Sequence, residues 1–255
     1  MPVLAPSGRG QSYLVASRSP RYSILFALPL LLLYEAMAVI LPPSETHGVR
    51  NGAEVILKSL FDLAVGAWGA AAFGAVMLGV GIWLVVRDVR ANGAPDRASI
   101  FAMMLLESIV LAAVFAVTAS LLTQRVLGVL HLALFAGAAP AGIDRPTAFM
   151  VSLGAGLFEE LLFRVVLVSV LIRLAYFVFG AGPRTSAAIA VVLSAILFSA
   201  FHYIGPYGDK LALPSFLFRA IGGLLFSLIY VVRGFGIVAW THALYDVGLL
   251  ALTGS

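Results

Sequence analysis

Seven mostly apolar runs occupy the chain, roughly Tyr22–Leu41, Leu63–Val86, Ile100–Leu122, Ala148–Phe177, Ser186–Ile204, Leu213–Val232 and Phe235–Leu252. A helix needs about 20 such residues to cross the hydrocarbon of a bilayer. Clusters rich in Pro, Gly and charge separate the runs: "LPPSETHG" after the first, "RDVRANGAPDR" after the second, "GAAPAGIDRP" before the fourth, "GAGPR" after it and "GPYGD" after the fifth. The fourth run, about 30 residues or ~45 Å of helix, is predicted to tilt or protrude. The pattern predicts an all-α, polytopic transmembrane helix bundle of about seven spans, six to eight once boundary errors are counted. Residues 1–21 form a polar N-terminal segment without the apolar core of a signal peptide, so the first run is expected to be retained as a span.

Composition agrees with this pattern. Hydrophobic residues make up 62% of the 255 positions and charged ones only 11%, far from the balance of soluble domains. The formal net charge of +4 requires no nucleic-acid partner, because arginines at span ends suit cytoplasmic loops and anionic lipid. The chain has no cysteine, which excludes disulfides, thiolate metal sites and a cysteine nucleophile. With the N-terminus inside, the inner segments carry Arg9, Arg18, Arg21, Arg87, Arg90, Arg97, Arg173, Arg184 and Arg233. The other side carries Arg50, Lys58, Arg125, Arg145, Lys210 and Arg219. The excess favours a cytoplasmic N-terminus, with the bacterial inner membrane as the expected location.

Charges inside the apolar runs are costly and mark functional sites by default. The fourth run holds Glu159, Glu160 and Arg164; the fifth ends with Phe198 and His202; the seventh holds His242 and Asp246. The pairs spaced by four share a helix face. Opposed spans can bring Glu159, His202 and His242 to a similar depth. Glu160 precedes Arg164 by four, the favourable order for a helical ion pair, whereas Glu159 points about 100° away. Glu159 and His202 together are able to hold and deprotonate a water, with His242 donating to a developing oxyanion and Asp246 fixing its tautomer.

"EELLFR", "FSAFH" and "HALYD" resemble the EExxxR, FxxxH and HxxxN/D motifs of the CPBP (CAAX protease and bacteriocin-processing, or Abi) intramembrane proteases. The resemblance divides the chain into N-terminal transmembrane helices without a recognised motif (22–145) and a CPBP-like catalytic region (146–255). It implies that Glu159 activates water with His202, that His242 and Asp246 support the oxyanion, and that Glu160 and Arg164 support the site. An ionised Asp246 is a poor donor where other members have Asn, which leaves it to orient His242. The implied activity is intramembrane cleavage of a membrane-anchored protein or peptide tail, with the bilayer as the other partner.

Two accounts of the chemistry stay open: a glutamate-activated water needing no cofactor, or a Zn²⁺ or other divalent metal held by Glu159, His202 and His242, which have the ligand types of a catalytic zinc site. No HExxH occurs. Non-proteolytic alternatives are a scaffold that binds tails without cutting them and a small-solute or ion transporter, although no internal repeat supports the latter. His47 and His131 are expected in loops. Glu35 and Glu107 are single acids in the first and third runs, expected to pair with Arg219 or Arg125 or to face a cavity. Gly222 and Gly223 are expected to permit close helix packing.

Overall fold

The computed structural model describes residues 12–41, 48–95, 97–129 and 143–253. Every regular element among them is helical. In order these are α1 (Tyr13–Ala16), α2 (Pro20–Ile40), α3 (Gly52–Val65), α4 (Gly69–Asn92), α5 (Ala98–Val129), α6 (Arg145–Gly154), α7 (Val168–Phe179), α8 (Pro183–Phe201), α9 (Leu213–Arg233) and α10 (Phe235–Thr253). Two π-helical stretches, Ala155–Glu159 and Leu161–Leu167, join α6 to α7 as one long rod. His47, His131 and Arg9 lie outside the described residues.

Seven segments are long and apolar enough to cross a membrane, and the protein is an integral, multi-pass all-α bundle. Large side chains such as Leu63, Leu106, Leu121 and Phe177 are exposed along them, as expected of surfaces that face lipid. The second segment differs from its expected span. It covers Gly52–Asn92, and a 3₁₀ turn at Gly66–Trp68 breaks it into α3 and α4. Glu54, Lys58 and Asp62 recur every four residues along α3 and interrupt the apolar run, so the sequence pattern picks up only its end. Asn51 starts α3 by accepting the Ala53 N–H at 2.9 Å.

Helices that meet around the site do so at small residues. A Cβ on Gly156 would sit 2.3 Å from the Ala239 carbonyl oxygen and 2.7 Å from the Ala243 Cβ, so the π-helical stretch touches α10 backbone to backbone. Gly223 brings α9 onto Ala195 of α8, and Gly222 faces the ring of Phe115. Close approach through small residues is how membrane helices gain packing without a hydrophobic drive between them. Among the described residues, Tyr34, Phe73, Leu153, Leu157, Phe158 and Ala243 pack into the largest core cluster, which includes the neighbours of Glu159 in the long rod.

Polar latches hold the end of the bundle where α2 begins. The Arg21 N–H donates to Asp88 at 3.1 Å, and its guanidinium to the Gly93 carbonyl at 3.1 Å. Ser23 accepts the Gly236 N–H at 2.7 Å, and the Trp240 indole donates to the Phe26 carbonyl at 2.6 Å, tying α10 to α2. The acids of the first and third spans have other partners than expected. Glu35 pairs with Arg50 at 2.6 Å, and Glu107 with Arg233 and the Tyr13 hydroxyl. Both arginines sit at chain reversals, where a long side chain can reach an acid on a neighbouring helix; Arg219 is instead paired with Asp209.

Adding one methyl at Gly156 should destabilise the protein by about 1–3 kcal/mol through overpacking. Thermal unfolding of Gly156→Ala in detergent, set beside Gly74→Ala, where a Cβ meets nothing within 4 Å, measures this directly.

Candidate active site

The site is assembled from the π-helical centre of the long rod, the end of α8, the first half of α10 and the chain entering α3. A π-helical stretch is a rare departure from the α-helix that often occurs at functional sites. Here it surrounds Glu160 on both sides. Adjacent acids then serve two different neighbours: Glu159 faces α8 and Glu160 faces α10.

Glu160 is fully buried and bridges two groups. Its Oε1 accepts from His242 Nδ1 at 2.7 Å and lies 3.2 Å from Arg164 Nη1. Arg164, 1% exposed, also donates to the Gly223 carbonyl at 3.3 Å and lies over the Phe198 ring at 4.4 Å. That carbonyl is within reach because Gly223 has no side chain. His242 stacks on Phe226 at 4.3 Å between centroids, with planes 21° apart, so ring packing as well as Glu160 fixes its orientation. Asp246 Oδ2 is 3.5 Å from His242 Nε2, beyond hydrogen-bond range. The expected division of labour is thereby corrected: Glu160, reaching across from the neighbouring helix, holds Nδ1–H and sets the imidazole, and Asp246 is the looser partner of the other nitrogen.

Glu159 and His202 face each other without touching. His202 Nδ1 lies 2.8 Å from the Phe198 carbonyl, which can only accept, so the proton is on Nδ1 and Nε2 presents a lone pair. Nε2 is 3.8 Å from Glu159 Oε2. That oxygen is buried and has no hydrogen-bond partner, while Oε1 accepts from Asn51 Nδ2 at 3.0 Å. A water about 2.8 Å from both Oε2 and Nε2 would donate one hydrogen to each acceptor and turn its lone pairs outward. His202 caps α8 just beyond the membrane-spanning stretch, and loss of hydration pushes its imidazole below the usual range, so it stays neutral at neutral pH.

All six expected residues therefore fall in one region, with Glu159 and His202 on one side and Glu160, Arg164, His242 and Asp246 on the other. Asn51 joins them without having been anticipated. Its sequence signal is the run Asn51-Gly52-Ala53-Glu54, an N-cap residue with an acid three positions on. Among the described residues no three His, Asp or Glu side chains are arranged to hold a metal ion. No chemical step is therefore assigned to a metal.

Removing Arg164 would leave Glu160 with His242 as its remaining partner, and breaking a buried ion pair costs about 3–5 kcal/mol. Arg164→Met should sharply lower the yield and thermal midpoint of the detergent-solubilised protein. Adding Glu160→Gln should recover much of that loss, because the charge needing a partner is gone.

Neither the curated proteins nor the solved structures compared with the chain gave a match. A family model did: residues 141–248 match the family described as type II CAAX prenyl endopeptidase Rce1-like. The match contains the long rod, α8, α9 and most of α10, with every site residue except Asn51. Over that stretch, less than half of the chain, the protein is similar to the Rce1-like CAAX proteases.

Proposed function

We propose that the protein is an intramembrane endopeptidase that hydrolyses a peptide bond in a membrane-anchored protein or peptide tail, using a water activated by Glu159 and His202. The observation carrying this reading is the facing pair of acceptors, Glu159 Oε2 and His202 Nε2, 3.8 Å apart, the carboxylate buried and the imidazole partly exposed. Glu159 takes a proton from the water as its oxygen adds to the scissile carbonyl carbon. The carbonyl oxygen becomes an oxyanion. His242, with a carboxylate beside each ring nitrogen, is arranged as a donor on both and directs Nε2–H at that oxygen. Collapse of the tetrahedral species breaks the C–N bond as Glu159 returns the proton to the leaving nitrogen. Glu160 and Arg164 act at one remove by holding His242.

Purified protein in detergent or liposomes, given a prenylated peptide ending in Cys-aliphatic-aliphatic-X, tests the reading by mass spectrometry of the products. Glu159→Gln and His202→Ala should each lower kcat/KM by about 10²–10⁴-fold. Undiminished cleavage by either variant rejects the assignment of the water. The pH profile has a definite sign. His202 serves as a neutral acceptor and its imidazole titrates below the usual range, so activity should hold through neutral pH and fall only on the acid side, below about pH 6.5.

The excess of arginine on the N-terminal side supports a cytoplasmic N-terminus, with the loop after α8 on the opposite face. That orientation would favour an exported or anchored peptide as substrate over a cytosolic tail. In this cysteine-free chain, a cysteine at Gly208 should react with a membrane-impermeant maleimide added outside intact cells. One at Gly182 should react only after permeabilisation; the opposite pattern reverses the orientation.

A further inference from the structure

We propose that Asn51, which lies outside the region matched by the protease family, is a positioning residue that fixes Glu159 so that only Oε2 faces the water site. The proposal rests on the peptidase reading for the words "water site", but the contact itself is independent of it. Asn51 is 2% exposed and is held from three sides. Its N–H donates to the Tyr34 hydroxyl at 3.0 Å, and its Oδ1 accepts the Ala53 N–H at 2.9 Å. At Gly154, a side chain would collide with both Asn51 and Tyr34: a Cβ there would lie 3.0 Å from the Asn51 Cβ and 2.5 Å from the Tyr34 ring.

These contacts determine which way the amide points. Oδ1 is engaged by a backbone donor, so the NH₂ end is the end left for Glu159, and it donates to Oε1 at 3.0 Å. The amide has no proton to exchange with the carboxylate at working pH. It pins Oε1 as an acceptor and leaves Oε2, unpartnered, on the His202 side. The charged groups around Glu159 include His202, His242, Arg164 and Asp246; none of them occupies the position of Asn51.

Asn51 is in turn braced by an ionic platform. The Tyr34 hydroxyl donates to the Glu54 carboxylate, which is 0% exposed and accepts from Arg50 at 2.8 and 3.0 Å, with Lys58 as a further partner. Arg50 also spans to Glu35 and lies over the Tyr34 ring at 4.6 Å. Four charges and a phenol therefore immobilise a residue from the N-terminal half that donates a hydrogen bond to the acid of the site. This is a physical role for helices in which the sequence shows no catalytic motif.

Asn51→Asp separates this role from the capping of α3, because aspartate caps a helix start as well as asparagine but cannot donate to Glu159. Asn51→Asp/Glu159→Gln re-forms the contact with its roles exchanged, the new amide donating to the new carboxylate. Thermal midpoints of the wild type, both single variants and the double variant, measured on the full chain in detergent, form a cycle that needs no activity. The double variant should recover most of the midpoint lost in Asn51→Asp; an additive cycle overturns the proposal. On the prenylated Cys-aliphatic-aliphatic-X peptide, Asn51→Asp should lower kcat about 100-fold while KM stays within about threefold. Unchanged kcat also overturns it. If the wild type does not cut that peptide but the cycle shows coupling, the positioning of Glu159 stands and the peptidase reading is the part that fails.

Discussion

The bridge formed by Glu160 between Arg164 and His242 is the interaction on which the rest of the site depends. In a dry interior a carboxylate with no partner is costly, and each additional partner must be brought from a different piece of chain. Arg164 comes from the next turn of the same rod, whereas His242 comes from α10. Satisfying Glu160 therefore requires α10 to lie against the rod at one rotation and one height. Gly156 makes that approach close enough, with the Ala239 carbonyl directly opposite it. Gly223 then gives Arg164 its backbone acceptor and brings α9 and Phe226 under the imidazole. Packing by small residues and charge pairing are thus one requirement met twice.

Much of this was legible in the sequence. The apolar runs locate the spans because a bilayer imposes a minimum length on any helix that crosses it. The spacing of Glu159, Glu160, Arg164, Phe198, His202, His242 and Asp246 identifies side chains too polar for lipid. What the spacing could not give is which residue pairs with which. Helical periodicity orders neighbours along one helix, so it favoured Asp246 as the partner of His242, four positions away. The structure instead uses Glu160, 82 positions away, which no periodicity within a helix can reveal. Glu35 and Glu107 were misjudged for the same reason: Arg50 and Arg233 reach them across turns between helices.

The segment around Asn51 was illegible for a different reason. Hydropathy reads α3 poorly because its polar stripe at 54, 58 and 62 divides the apolar residues, and Asn51 precedes the first of them. Its importance comes from being simultaneously an N-cap, a hydrogen-bond partner of Tyr34 and a donor to Glu159. Only the first of these is local. The π-helical stretches are similarly hidden, since nothing in "GAGLFEELLFRVVL" departs from an α-helical composition.

The two acids of the pair have different partners although they are adjacent and both buried. Glu160 has its Oε1 committed to His242 and Arg164, which hold it in place, while its Oε2 is buried without a hydrogen-bond partner. Glu159 has one oxygen tied to a neutral amide and the other left open beside the lone pair of His202. A neutral donor orients a carboxylate without adding a full positive charge next to it. Under the proposed mechanism, exchanging the surroundings of the two acids would leave the sequence motif intact and remove the proton acceptor. The motif names the residues, but it is the amide on one acid and the guanidinium on the other that determine how each carboxylate is held.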